Sequence, residues 1–434
     1  MLTVARRVWN DLRAGFWFLP SVLLGAHVGL AILLTSTELG SNKPWMAEWP
    51  NLFGAGADGA RGMLSTIAGS MMTVVGVTLS MTLVTLALAS SQYTSRILRN
   101  FIGDRITQFV LGLFAGIYCY CIIVLRTIRG GDEGGFIPGL AVLVGVVLAV
   151  LGIIVLIYFI HHIAISIQAS NIIASVAAET IAAVERLYPE DAEPVPADES
   201  WSVEEPPPRW KPVMAAADGY IERIDFDRLQ ELAELHRTTV RIERAMGEFV
   251  IEGAPLVSVV EGATEWVKLE EAVSGTIEIG RHRTVEQDVG FGIRQLVDIA
   301  LRALSPGIND TTTAIMCIDY LTAILTRLST RAISGAQHRP GLVVNAHAPT
   351  FEALLAEAFD QIREAGRGNF AVLHRLLDSL DSIGSMPIAA ARREAMLGHV
   401  DLLDETVASS IEGTRDRELL VGMAQRIRAR FVLH

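Results

Sequence analysis

Four stretches of this chain of 434 residues carry no Asp, Glu, Lys or Arg over lengths that a soluble domain does not use. A helix needs roughly 20 apolar residues to cross about 30 Å of hydrocarbon. Residues 16–36 are free of charge, 34 uncharged residues separate Arg61 from Arg96, and 20 separate Arg105 from Arg126. The fourth stretch begins at Phe136, is rich in Val, Leu and Ile as far as Phe159, and runs through His161 and His162 to Glu179 without a formal charge. These predict four transmembrane helices. The second is longer than a bilayer needs, so it is expected to tilt or to extend past the membrane. The first is long for a signal-peptide core and ends without a small-x-small cleavage site, so we read it as a retained helix.

The charge distribution separates two halves. The first 178 residues hold 10 basic and 7 acidic groups, and the remaining 256 hold 26 basic and 41 acidic. A polar half with a net charge of −15 would repel phosphate backbones, which argues against nucleic-acid binding. Orientation follows from the basic flanks. Arg6, Arg7 and Arg13 precede the first span and Arg96, Arg99 and Arg105 fill the second loop, whereas Lys43 and Arg61 share the first loop with Glu38, Glu48 and Asp58. Trp45 and Trp49 in that loop suit an interface belt, and Arg126 and Arg129 in the third loop are accompanied by Asp132 and Glu133. Both termini are therefore expected in the cytoplasm.

No ionisable carboxylate or amine lies inside a span, which disfavours a proton-coupled transporter. The spans instead hold hydroxyls. Ser70, Thr73, Thr78, Thr82 and Thr85 are the pore-lining candidates, and Thr78, Thr82 and Thr85 share one helical face by their spacing. The same residues, with Gly69 and Gly76, and the Gly112/Gly116 pair of the third span, also serve close helix packing. His27, in the middle of the first span, is an intramembrane polar candidate. His161 and His162 diverge by about 100° on a helix and are poorly placed to share a metal. Cys119, Cys121 and Cys317 read as small apolar fillers, and no metal site or cofactor is expected.

The expected organisation is a four-helix transmembrane domain over residues 1–180, an acidic Pro-rich linker at 181–212, a small β-rich module at 213–280 and a mainly helical cytoplasmic domain at 281–434. The fold class is thus an α-helical membrane domain followed by an α+β domain. Seven acidic groups and no basic one between Glu190 and Pro208, with recurring prolines, mark the linker. In the module, GEFVIEGAPLVSV resembles the half-barrel of biotinyl/lipoyl carrier and adaptor domains. No lysine lies between Lys211 and Lys268 to hold a prosthetic group, so only the shape is implied. Beyond it, helices are predicted at 291–304, 311–331, 350–364, 369–383, 389–410 and 415–431, with a strand at 342–345. Arg281, Arg283, Asp288, Arg294 and Asp298 form the one polar constellation, readable as an anion site or as an ion-pair network joining the module to the helices.

Three separated phrases carry a family resemblance: ASSQYTSRILRNFIGDRITQFVLGLF, YFIHHIAISIQAS and QDVGFGIRQLVDIALRALSPGIND. They resemble the signature stretches of bacterial predicted membrane proteins grouped as domain of unknown function 2254. The resemblance implies an integral protein of the bacterial inner membrane and carries no activity onto any residue. None of the three lysines completes a phosphate-binding loop, and HExxH, CxxC and GxSxG are absent, so catalysis is not expected. Two function classes remain. One is a homo-oligomeric channel or facilitator for small ions, with the polar half as vestibule or gate. The other is a membrane-tethered scaffold or sensor that binds a protein partner or an anionic ligand. The expected partners are the lipid bilayer and further copies of the same chain.

Overall fold

The computed structural model describes residues 17–36, 56–92, 104–129, 136–190, 209–260, 266–333, 342–344 and 349–433. The basic residues before the first span, those at 96 and 99, most of the first loop with its two tryptophans, Asp132, Glu133 and the linker from 191 to 208 lie outside these residues. The chain divides into two compact units, Met1–Gln168 and Ala169–His434.

The first unit holds four helices long and apolar enough to cross a membrane. They are α1 (Phe18–Ser36), α2 (Ala57–Gln92), α3 (Arg105–Thr127) and α4 (Gly139–Ser166). The hub is α3, which packs against the other three. Asp104 caps its N-terminus, accepting from the Ile106 and Thr107 amides at 3.1 Å each. A methyl group at Gly112 would lie 2.7 Å from the Pro20 Cα, and one at Gly116 would lie 2.6 Å from Nδ1 of His27, so these glycines set the approach of α1. The Gly112/Gly116 pair thus acts within the chain, between α3 and α1. Tyr120, fully buried, donates to the Ala141 carbonyl of α4 at 2.7 Å.

The apolar run that begins at Phe136 does not continue as one helix. It breaks at Ile167–Gln168, and α5 (Ala169–Leu187) belongs to the second unit, so the contact boundary falls before the expected one at 180. Ile172, Ile173, Val176, Ala177, Thr180, Ala183 and Val184 form one buried stripe of α5. The stripe packs on α8 (Val289–Ala303) and α9 (Thr311–Ser329), about a hundred residues downstream. Gly292 of α8 admits the side chain of Thr180, which any Cβ at that position would strike. The Gly-Phe-Gly of residues 290–292 therefore lies in the first turn of a packed helix.

Between α5 and α8 the chain inserts a β module. It comprises β1 (Trp210–Met214), β2 (Gly219–Ile224), α6 (Phe226–Leu235), β3 (Val240–Ile242), β4 (Phe249–Val250), β5 (Pro255–Val260), α7 (Trp266–Ser274) and β6 (Ile277–Gly280). One sheet has the order β4-β2-β6. The other runs β1-β5-β3-β7, and its last member, β7 (Leu342–Val344), comes from beyond α9 and pairs parallel to β3, Val240 opposite Leu342. Val213, Val240, Ile242, Val257 and Val259 form its core with Ile221 and with Leu229, Leu232 and Leu269 of the two helices. Four helices close the unit: α10 (Phe351–Ala365), α11 (Phe370–Gly384), α12 (Ala390–Ser410) and α13 (Thr414–Leu433). Their side chains bury Leu355, Leu376, Leu380 and Val400.

Candidate functional site

The hydroxyls of α2 separate onto two faces. Thr78 and Thr85 are 1% and 5% exposed, turned into the packed interior of the first unit. Thr82 is half-buried beside them and donates to the Thr78 carbonyl at 2.8 Å. The Thr78 hydroxyl oxygen is buried with no partner among the described residues. Ser70 and Thr73 lie on the outward side and donate to the carbonyls of Thr66 at 2.8 Å and Gly69 at 3.1 Å. The five pore candidates therefore do not line one surface.

The outward face carries a pattern that the sequence reading did not single out. Gly62, Thr66, Gly69, Thr73, Gly76 and Ser80 are all exposed, and they follow one another in steps of four and three. This is the spacing of a coiled-coil seam, built here from small residues that let backbones approach closely. Among the described residues nothing lies within 4 Å of a methyl group placed on Gly62, Gly69 or Gly76. Thr73, Gly76, Val77, Ser80, Met81 and Val84 line an open groove of about 560 Å³. The outward side of α4 is different in kind, presenting Val147, Val150, Ile153, Ile154 and Ile157, each more than half exposed. The missed signal was the 4-3 spacing of Gly with Ser or Thr, which a helical wheel displays but which does not say which face is free.

His27 is half-buried against Gly116, and its Nδ1 donates to the Leu23 carbonyl at 2.8 Å. His162, near the end of α4, meets Asp104 at 3.1 Å through Nε2 and stacks on Tyr158 with ring centroids 6.3 Å apart. Burial alone would raise the Asp104 carboxyl. The Thr107 hydroxyl, the two cap amides and His162 outweigh it and hold the group below its ordinary value. His162 and not His161 makes the contact, as their angular divergence requires.

In the second unit the arginine constellation resolves into two sets. Arg283 grips Asp288 through Nε at 2.8 Å and a terminal nitrogen at 2.7 Å, and lies over the Phe291 ring at 5.3 Å. Asp288 also caps α8, accepting from the Phe291 amide at 3.0 Å. Burial pushes its carboxyl above the ordinary value, against the pull of Arg283. Gly247, at φ +75° in the β3–β4 turn, lies against Asp288 and Arg283 where a side chain would collide. Arg294 pairs with Asp298 one turn on at 2.8 Å and reaches Glu357 at 3.5 Å and Gln361 at 3.0 Å on α10. Arg281 is exposed and belongs to neither set. Arg283 and Asp288 thus tie the β module to α8, and Arg294 and Asp298 tie α8 to α10. Among the described residues no group of three His, Cys, Asp or Glu side chains is placed to hold a metal ion.

Residues 13–382 match the family model described as Predicted membrane protein (DUF2254). An uncharacterized protein of Mycobacterium bovis and one of Mycobacterium tuberculosis strain H37Rv are each 32% identical to the chain over 443 aligned residues. Each alignment covers 98% of this chain and 82% of the relative. A protein of Mycobacterium tuberculosis strain CDC 1551, also uncharacterized, is 31% identical over the same span. No solved structure matches the chain significantly. With four apolar helices in one unit, a mixed helical and sheet region in the other, and a family match over most of its length, this chain belongs to the DUF2254 family of predicted membrane proteins.

Proposed function

We propose that the chain is one subunit of a homo-oligomeric channel for small ions, assembled through the outward seam of α2. The observation that carries this reading is the contrast between two outward faces. Bulky Val and Ile on α4 suit contact with lipid, whereas the glycine, serine and threonine seam of α2 gives lipid little to pack against and gives a helix a close fit. Copies meeting on Gly62, Gly69 and Gly76 bring Ser70, Thr73 and Ser80 toward a shared axis, where their hydroxyl oxygens replace part of an ion's hydration shell. Thr78, Thr82 and Thr85 then serve packing inside each subunit. The chain sits in the bacterial inner membrane with both termini in the cytoplasm, and the acidic charge of the second unit attracts cations. The scaffold or sensor reading loses its best site, because Arg283 and Arg294 are spent on ion pairs within the chain.

The test is ion flux in liposomes under a salt gradient. Wild-type protein should conduct, and Thr73→Phe, which fills the groove, should lower flux at least tenfold while leaving the monomer's thermal unfolding unchanged. Flux in Thr73→Phe equal to wild type would remove the seam from the path.

A further inference from the structure

Arg331, just past the end of α9, is buried and only partly bonded. The residue is 6% exposed. One terminal nitrogen meets Glu190 at 2.7 Å, and Nε and Nη1 are buried with no hydrogen-bond partner among the described residues. A buried guanidinium that leaves donors unmatched is unfavourable, because those N–H groups have given up water and gained nothing in return. The neighbouring acceptors are already taken. Arg392 of α12 donates to the carbonyls of Leu328 at 3.1 Å, Ser329 at 2.6 Å and Arg331 at 2.7 Å, which uses the negative end of α9. Arg392 also lies over the Phe351 ring at 5.3 Å. The carboxylate on Arg331 is held loosely: the Glu190 side chain is 75% exposed, which places the guanidinium one side chain below the surface.

We infer that Arg331 is the buried base of a site for a phosphate-type oxyanion. A guanidinium presents its donors in a planar fork that matches the oxygens of phosphate. Each two-donor edge of that fork includes the nitrogen now on Glu190, paired with either Nε or Nη1, so an oxyanion that takes Glu190's place also engages a donor now unmatched, and Arg392 adds positive charge on the same turn of chain. Glu190 is the competitor that an incoming anion must displace. Nothing in this inference depends on conduction or on the α2 seam. The phosphate can be that of a free anion or of a lipid headgroup, and the two sources separate experimentally.

The experiment uses the full chain in detergent, with inorganic phosphate as probe and chloride holding the ionic strength constant. After delipidation, equilibrium dialysis should find one phosphate per chain. Arg331→Met should weaken binding at least tenfold, and Glu190→Gln, which removes the competing carboxylate, should tighten it severalfold. Before delipidation, phosphorus extractable into organic solvent at about one per chain, absent in Arg331→Met, assigns the site to a lipid headgroup. Neither form of phosphate bound by wild type would overturn the inference. So would binding that Glu190→Gln leaves unchanged, a readout that stands even where Arg331→Met fails to fold.

Discussion

In the first unit glycines set the approach of α1 and α4 to α3 and α2, whereas in the second unit, apart from Gly292 and Gly384, large apolar side chains fill the space between helices. Gly112 and Gly116 bring α1 onto α3, and Gly145 and Gly152 of α4 receive Leu64 and Ile117. The second unit instead buries Leu296, Ile318, Leu321, Leu355 and Leu376 completely and ties its helix ends with caps such as Asp288, Asp310, Thr350 and Asn369. The difference follows from the surroundings. In water, large apolar side chains are driven inward, at about 25 cal/mol per Å² buried. In lipid they gain little by facing one another, so close van der Waals contact between small residues sets the packing. An exposed run of small residues on an apolar helix long enough to cross a membrane is therefore informative in a way that an exposed serine on the second unit is not.

Substitutions in opposite directions sharpen this contrast. The largest effect is expected from Leu321→Ala, which empties a fully buried position in the second unit and should lower stability by about 2–5 kcal/mol, read by chemical denaturation monitored on that unit. Gly116→Val adds volume where α1 crosses α3 and should lower the unfolding temperature of the full chain in detergent, at a cost of about 1–3 kcal/mol. Equal tolerance of Gly116→Val and of Val at exposed Gly25, where nothing lies within 4 Å, would break the packing account of the first unit.

A smaller, pH-dependent effect is expected at His399 on α12. Burial lowers its pKa. Arg363 acts in the same direction, and Asp360, 3.5 Å away, opposes both. A histidine whose folded value lies below its ordinary 6.5 favours the folded state above that pH, and the contribution is lost as pH falls through the folded value. The wild type should therefore lose stability on acidification below pH 6.5, and His399→Gln should lose less, as followed by unfolding temperature against pH. Parallel curves for the two proteins would mean that His399 is not the group responsible.

The helices of the second unit were legible because their boundaries are written in local chemistry. Asn369 and Thr350 cap α11 and α10 through their own side chains, and the amphipathic spacing behind them repeats every three or four residues. The four apolar helices were legible from length and lack of charge alone. Which way α2 faces was not, since both of its sides carry Ser and Thr and its packing against α3 and α4 turns Thr78 inside and Thr73 outside. The break at Ile167–Gln168 was hidden by an unbroken absence of charge, and the place of β7 beside β3 depends on a pairing across about a hundred residues. The ion pairs of Arg283 and Arg294 were visible as spacing, whereas Glu357, Gln361 and Gly247 entered only through the fold.

The proposed oligomer joins copies of this chain through the outward seam of α2. Native mass spectrometry from lipid nanodiscs measures it directly. Wild type should appear as a closed oligomer of about four or more copies, the number that a pore lined by one helix per subunit requires. A Gly69→Leu/Gly76→Leu double variant should fall to monomer. A wild-type monomer, or an oligomer that survives both substitutions, would contradict the account.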